Sequence, residues 1–500
     1  MLDGILLGLH TVATPANLLL VLLGCLVGTF IGMLPGLGPI SAIALMIPIT
    51  YGFDPAAGMI LLAGVYYGAV FGGSTSSILI NAPGIAGTVA SAFDGYPLAR
   101  SGEPGKALAL AAYASFAGGT LAALMLIIAA PILADLSLIF QSADYFALML
   151  LGLSLVAAFA RPGGHLKALL MACFGIMLST VGTDLSAGVQ RFTFGRMDLM
   201  DGISFLLLAM ATFALAEALM MVLQPTRAGA RPMSIRMSRL KLNKREIKQV
   251  LPTVGRASVL GFFVGVLPGA GATIASFLAY GVERVLAKPA EQLRFGKGSL
   301  KGLAAPETAN NAACTGSFVP LLTLGIPGSG TTAILLGALL AYGIQPGPRL
   351  FVDEPQVFWA VIVSMYFGNL ILLVLNLPLI PYIARILMLP KVYLVPAILF
   401  FSLIGVYLVS FNSFDIQMMV FIAVIAVGLR LLEFPMAPLL LGFILGGMLE
   451  DNLRRAIILS DGSFGFLLGR PTTVVLLSLT VVTLISPLLR KLYRGIRSGN

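Results

Sequence analysis

The chain has 500 residues, of which 58% are hydrophobic and only 10% are charged, and its mean hydropathy is +0.99. Soluble globular proteins carry about 25% charged residues, so this composition excludes a soluble protein. The formal net charge of +10 does not indicate nucleic acid as a partner, because the basic residues gather beside apolar segments. We therefore expect an all-α polytopic protein whose surroundings are a lipid bilayer.

Apolar runs long enough to cross a bilayer recur along the whole chain. Counting them predicts about 11–12 transmembrane helices, each spanning roughly 30 Å of hydrocarbon. Strands of alternating polarity, which are typical of membrane barrels, are not seen in the sequence. The clearest runs are 16–34, 107–133, 203–223, 357–377 and 472–489.

Basic residues set the expected orientation and the division of the chain. A basic linker covers residues 225–249, and a basic tail covers residues 490–500. Positively charged segments beside membrane spans stay in the cytoplasm, so the linker and the C-terminus should both be cytoplasmic. The linker separates a first transmembrane repeat, 1–224, from a second, 250–489.

A helix-breaking motif occurs twice. Residues 32–38 read GMLPGLG, and residues 265–271 read GVLPGAG, at an offset of 233. Proline ends a helix and glycine permits a tight reversal, so each copy predicts a re-entrant hairpin. The second copy lies between two basic segments, whereas the flanks of the first copy carry no Lys or Arg. We therefore predict that the hairpins enter from opposite faces and belong to inverted repeats.

A second pair of breaks follows the hairpins. Residues 76–88 read SSILINAPGIAGT, and residues 320–332 read PLLTLGIPGSGTT, so that the Pro-Gly pairs match at an offset of 244. Each copy predicts a broken helix. Internal repeats that carry breaks in the same order are typical of secondary transporters.

Neutral polar side chains surround the second pair of breaks. The first turns of half-helices present free N–H groups and a partial positive charge, which suit a carboxylate. Packing within the membrane is the alternative role for any single hydroxyl among them. The candidates for substrate binding are Asn81, Pro83, Gly84, Thr88, Asn310, Asn311, Pro327, Gly328, Thr331 and Thr332.

A coupling cation needs oxygen ligands near the same breaks. Unwound carbonyls and hydroxyl groups suit Na⁺ better than H⁺, because few acids lie nearby. Glu307, which precedes Asn310 by three residues, is the nearest acid, and it is a further candidate to face a binding cavity at the breaks. The candidates for cation binding are Gly36, Gly38, Ser74, Thr75, Ser76, Ser77, Gly269, Gly271 and Thr315.

Enzymatic chemistry is not indicated. The glycine-rich motifs lack the Gly-Lys-[Ser/Thr] of a nucleotide-binding loop, and no histidine lies within the polar clusters. The three cysteines have no metal-ligand spacing. We expect no enzyme, no cofactor, and no metal apart from a coupling Na⁺.

The motifs together resemble the large permease subunit of the bacterial tripartite tricarboxylate transporter family. The likeness rests on GMLPGLG, YYGAVFGGSTSSILINAPG, GVLPGAGATIASFLAYGVE and LGIPGSGTTAILLGAL, and extends from about residue 15 to residue 450. It implies cation-coupled import of carboxylates across the bacterial inner membrane, with Na⁺ or H⁺ as the driving ion. It also implies two partners, a small four-helix membrane subunit and a periplasmic solute-binding protein. A transporter of another small solute, and a channel or membrane scaffold, are the alternatives.

Overall fold

The protein is a bundle of α-helices. The computed structural model describes residues 1–34, 37–137, 139–158, 164–184, 188–223, 241–269, 271–383 and 391–498. Within these ranges, seven helices are long and apolar enough to cross a membrane, and seven shorter apolar helices have 10–17 residues. The predicted all-α polytopic fold is confirmed.

The first half of the chain carries the first hairpin motif and the first broken helix. Its helices are α1 (Leu2–Val12), α2 (Pro15–Met33), α3 (Gly38–Thr50), α4 (Pro55–Ile80), α5 (Val89–Arg100), α6 (Pro104–Ser137), α7 (Ser142–Ala158), α8 (His165–Ser179), α9 (Phe205–Ala209) and α10 (Ala216–Leu223). A 3₁₀ turn at Ala86–Thr88 precedes α5, and a π-helical turn at Met210–Leu215 joins α9 to α10. The antiparallel strands β1 (Gly182–Thr183) and β2 (Gln190–Arg191) lie between α8 and α9.

The second half repeats the hairpin and the broken helix. Its helices are α11 (Lys244–Val266), α12 (Gly271–Leu286), α13 (Pro289–Gln292), α14 (Leu300–Gly316), α15 (Phe318–Leu324), α16 (Gly330–Ala341), α17 (Leu350–Asp353), α18 (Pro355–Asn376), α19 (Ile380–Ile383), α20 (Lys391–Ser410), α21 (Ser413–Leu431), α22 (Ala437–Leu459) and α23 (Pro471–Ser498). Most of the predicted linker, 224–240, lies outside the described residues, and its last residues form the start of α11.

Polar caps and proline set where the repeated helices begin. The carboxylate of Asp54 accepts backbone N–H groups at the start of α4, and Pro55 occupies the first helical position. Asn243 and Glu246 form a reciprocal capping box at the start of α11. Ser299 caps α14 in the same way as Asp54 caps α4. Each cap contributes about 1 kcal/mol.

Each Leu-Pro-Gly motif joins two packed helices. The first hairpin, 15–50, consists of α2 and α3, and the second hairpin, 244–286, consists of α11 and α12. Gly38 and Gly271 begin the returning helices at φ angles of +63° and +62°. Side chains other than glycine rarely adopt that conformation, which explains the glycine at both positions. Gly36, a predicted cation ligand, lies outside the described residues.

Both predicted helix breaks are present. The first break, 81–88, begins at Asn81 and the second break, 325–332, begins at Gly325. These equivalent residues end α4 and α15 in the left-handed conformation, with φ angles of +51° and +67°. Such a residue stops a helix and turns the chain out of its axis.

After each break the chain turns back along the helix that it has just left. A Cβ atom added to Gly84 would lie 2.8 Å from the Cα atom of Gly73 on α4. A Cβ atom added to Gly328 would lie 2.9 Å from the side chain of the equivalent residue, Ser317. The chain therefore follows the same path after the first break as after the second.

Glycines at matched positions let each hairpin pack closely on its broken helix. A Cβ atom on Gly32 of α2 would lie 2.2 Å from the carbonyl oxygen of Ala69 on α4. A Cβ atom on Gly265 of α11 would lie 2.2 Å from the carbonyl oxygen of Ala313 on α14. Small residues allow such backbone contact between membrane helices.

The equivalent helices α4 and α14 run antiparallel. The ring of Tyr66, early on α4, lies 6.0 Å from that of Phe318, which follows α14. Further along α4, Ser74 bonds to Glu307, which lies earlier on α14. An inverted repeat requires this antiparallel relation between equivalent helices. The opposite insertion of the two halves in a membrane stays a prediction.

We expect Gly265→Ala to lower the thermal unfolding midpoint, because the added methyl group forces α11 away from Ala313. Overpacking of this kind costs about 1–3 kcal/mol. Gly255→Ala on the same helix is the matched control, since nothing lies within 4 Å of a Cβ atom there. Thermal unfolding of the purified variants measures the effect. Equal midpoints for the two variants would contradict the proposed contact.

Candidate functional site

Each break packs against the other half of the chain. Helix α12 of the second hairpin lies against the 3₁₀ turn of the first break. At the second break, a Cβ atom on Gly330 would lie 3.2 Å from the side chain of Ile40, which belongs to the first hairpin. The candidate sites are therefore built from both repeats.

Hydroxyl groups hold the shape of the first break. Thr88 accepts a hydrogen bond of 2.7 Å from Ser77 and donates to the carbonyl oxygens of Ile85 at 3.0 Å and Gly73 at 3.2 Å. Ser76 also donates to the carbonyl oxygen of Gly73. These bonds tie the returning chain to α4 within the buried interior.

The second break is held by an equivalent bond. The hydroxyl group of Thr332 donates to the carbonyl oxygen of Ser329 at 3.0 Å, as Thr88 does to Ile85. Ser329 and Thr332 also form a reciprocal capping box at the start of α16. The threonine shared by the two sequence motifs thus secures the bend in both halves.

Asn310 faces the first break with an unsatisfied side chain. The residue is 0% exposed, and its side-chain Oδ1 and Nδ2 atoms lack hydrogen-bond partners among the described residues. A Cβ atom on Gly87 would lie 2.3 Å from Oδ1. A buried amide without partners costs stability, so it is a strong candidate to bind a ligand. Its neighbour Asn311 instead donates to the carbonyl oxygen of Glu307.

Tyr66 occupies the position on α4 that is equivalent to Asn310 on α14. Its side chain lies close to Ser317 and to Ser329, the latter of which belongs to the second break. Each half therefore directs one polar side chain toward the break of the other half. Tyr66 is not a candidate by sequence alone, because an aromatic residue in an apolar helix resembles ordinary packing.

The remaining predicted residues lie close to the two breaks. Gly269, at the tip of the second hairpin, donates its N–H group to the carbonyl oxygen of Gly328 at 3.0 Å. Thr315 donates to its own helix at Asn311. Asn81 is exposed, and Thr331 is buried beside Thr332. Pro83–Gly84 and Pro327–Gly328 form the bends themselves.

A buried carboxylate lies one helical turn from Asn310. The Oε2 atom of Glu307 accepts hydrogen bonds from Ser74 at 2.7 Å and Ser115 at 3.0 Å. Both of these serines, together with Thr75, line part of a cavity of about 10 Å³. Ser74, Thr75 and Glu307 are candidates by sequence, whereas Ser115 has no local sequence signal.

A second polar cavity, of about 210 Å³, lies between the β1–β2 hairpin and α22. Arg191 and Arg454 line it, and both are paired with Asp184 and Glu450. The paired carboxylates offset the two arginines, so the cavity is a weaker candidate for an anion than the breaks. No group of three or more His, Cys, Asp or Glu side chains suited to a metal occurs in the described ranges.

Comparison with known proteins identifies the family to which the chain belongs. The family model described as the tripartite tricarboxylate transporter TctA family matches residues 18–441. The chain belongs to this family. Its repeated motifs are therefore features of a TctA-family protein, and the resemblance predicted from them is confirmed.

Two relatives of this TctA-family chain come from Agrobacterium vitis. The uncharacterized 52.8 kDa protein of the TAR-I ttuC' 3' region is 43% identical over 98% of this chain and 96% of its own length. An uncharacterized protein of the TAR-II ttuC' 3' region is 45% identical over 46% of this chain and 94% of its own length. No solved structure matches.

We expect Asn310→Ala to raise the half-saturating substrate concentration about 10- to 150-fold, because a hydrogen bond to a charged ligand contributes roughly 1.5–3 kcal/mol. Uptake of labelled substrate at graded concentrations measures this value. Asn452→Ala is the matched control, since Asn452 bonds only within its own helix at the carbonyl oxygen of Met448. If both variants keep the unaltered half-saturation, the substrate does not contact Asn310.

Proposed function

We propose that this TctA-family chain is the large membrane subunit of a cation-coupled importer of dicarboxylates and tricarboxylates. Membership of the family supports the substrate class and the dependence on other subunits. The proposed partners are a small four-helix membrane subunit and a periplasmic solute-binding protein that delivers the carboxylate. The proposed location is the bacterial inner membrane, with the C-terminus in the cytoplasm.

The observation that carries this proposal is the unsatisfied amide of Asn310 beside the first break. The amide N–H₂ group and the free N–H groups at the start of a half-helix are donors suited to a carboxylate. Neutral donors bind an anion without a second buried charge, which would be costly inside the membrane. The substrate carboxylate would satisfy the donors that the protein leaves unpaired.

We further propose that Na⁺ is the coupling ion. Hydroxyl and carbonyl oxygens predominate around both breaks, and such neutral oxygens serve as Na⁺ ligands in transporters with broken helices. H⁺ is the second candidate, and Glu307 is the group that favours it, because a buried carboxyl group can carry a proton. The predicted ligand set includes the hydroxyl groups of Ser74 and Thr75 near that carboxyl group.

A channel or a passive scaffold fits these features less well. A channel needs a continuous polar path, whereas polar side chains here concentrate at two breaks that are closed by packing and hydrogen bonds. A transporter of another small solute is the remaining alternative. The charge of the solute discriminates between a carboxylate importer and a transporter of a neutral solute, since a neutral solute would not require the positive ends of the half-helices.

Uptake by cells that lack other carboxylate transporters tests this function. The chain is expressed together with its two partner subunits, and a panel of labelled dicarboxylates, tricarboxylates and neutral amino acids is supplied in NaCl or in choline chloride. We expect at least one carboxylate to accumulate, and to do so only in NaCl. Equal accumulation in Na⁺-free buffer would contradict Na⁺ coupling. Accumulation of neutral amino acids alone would contradict the substrate class.

A further inference from the structure

Glu307 differs from the other buried acids in having no positively charged or backbone N–H partner. The five buried acidic residues in the described ranges are Asp94, Asp144, Glu217, Glu283 and Glu307. Three of these are paired with an arginine: Asp144 with Arg470, Glu217 with Arg430, and Glu283 with Arg256. Asp94 accepts three backbone N–H groups, those of Gly296, Gly298 and Ser299.

The surroundings of Glu307 consist of hydroxyl groups from three further helices. Ser74 of α4 and Ser115 of α6 donate to Oε2. Ser91 of α5 lies beside the carboxyl group. The Oε1 atom is buried and has no hydrogen-bond partner among the described residues, and Ser91 Oγ is in the same condition. One oxygen of the carboxyl group therefore remains available.

A carboxyl group buried at this depth is neutral in one of two ways: it holds a proton, or a cation compensates its negative charge. The cost of an unpaired ionised group in an apolar interior is several kcal/mol. No lysine or arginine among the described residues compensates Glu307. The adjacent cavity of about 10 Å³ has space for about one water molecule. A single small monovalent cation supplies the compensating charge and is no larger than the one water molecule that this space admits.

We propose that Glu307, with the hydroxyl groups of Ser74, Ser91 and Ser115, binds the coupling cation, and that this cation is a single Na⁺. This proposal rests on the cation coupling proposed above, and it names the residues that would bind the coupling cation. The carboxylate supplies the negative charge, and the three hydroxyl oxygens act as neutral ligands. The hydroxyl groups of Ser74 and Ser115, which donate to Oε2, would turn their oxygens toward the cation. The cation site thus lies beside the first break, at a distance of about one helical turn.

The position of this site couples the cation to the substrate region. Along α14, Glu307 lies three residues before Asn310, which faces the first break. Along α4, Ser74 lies three residues before Ser77, which bonds to Thr88 in that break. A cation held by α4, α5, α6 and α14 therefore fixes the elements on both sides of the break. Binding of one ligand then changes the affinity for the other, as linkage requires.

The test is the Na⁺-dependent stability of the purified chain in lipid nanodiscs. NaCl is titrated against choline chloride at constant ionic strength, and the thermal unfolding midpoint is recorded. A ligand that binds only the folded protein raises this midpoint until the site saturates. We expect a saturable rise for the wild type and none for Glu307→Gln, which has the same shape without the charge. For Ser115→Ala we expect half-saturation at a NaCl concentration about 10-fold higher.

Ser402→Ala is the control, because Ser402 is another fully buried serine, on the separate helix α20, and it has no hydrogen-bond partner within the described part of the chain. It should keep the wild-type Na⁺ response. A wild type without that response, or a Glu307→Gln variant that retains it, would overturn the assignment. If Glu307→Gln fails to fold, Ser115→Ala provides the test. A Ser115→Ala variant whose Na⁺ response half-saturates at the wild-type NaCl concentration would also overturn the assignment. Wild-type cells that accumulate carboxylate while the chain shows no Na⁺ response would overturn only the cation site and leave the substrate class standing.

Discussion

A backbone break inside a membrane must have its polar groups satisfied by protein, because hydrocarbon offers no hydrogen bonds. In this chain the returning segment of each break lies against the helix that it has just left, at Gly73 and Ser317. A threonine in each half then ties the turn to a nearby carbonyl oxygen. The small residues at these contacts are required by backbone proximity. The hairpins, the packing of each break against the other half of the chain, and the candidate sites all depend on this arrangement.

The sequence predicts where the hairpins and breaks lie better than it predicts which side chains contact them. Proline and glycine act on the local backbone, so the hairpins and breaks could be located from two short motifs each. The contacts of Glu307 with Ser74 and Ser115 join residues 233 and 192 positions apart, and nothing local marks Ser115. The reciprocal positions of Tyr66 and Asn310 follow from the antiparallel course of α4 and α14, which only the folded chain reveals.

The two proposed sites divide the chemistry of a charged substrate. We propose that neutral donors at the break surround the anion, while a single acid one turn away holds the cation. A bound Na⁺ would neutralise the carboxylate of Glu307, which would otherwise repel a substrate carboxylate one turn away. In this proposal the cation binds before the anion.

We propose that the two halves of the chain are equivalent and inserted in the membrane in opposite directions. Cysteine accessibility tests it most directly, in a chain whose Cys25, Cys173 and Cys314 are replaced. Arg245→Cys and Lys297→Cys, which flank the second hairpin, should react with a membrane-impermeant reagent only from the cytoplasm. Gly52→Cys, which follows the first hairpin, should react only from the periplasm. Reaction of the two positions flanking the second hairpin from opposite faces, or of all three from one face, would contradict the inverted arrangement.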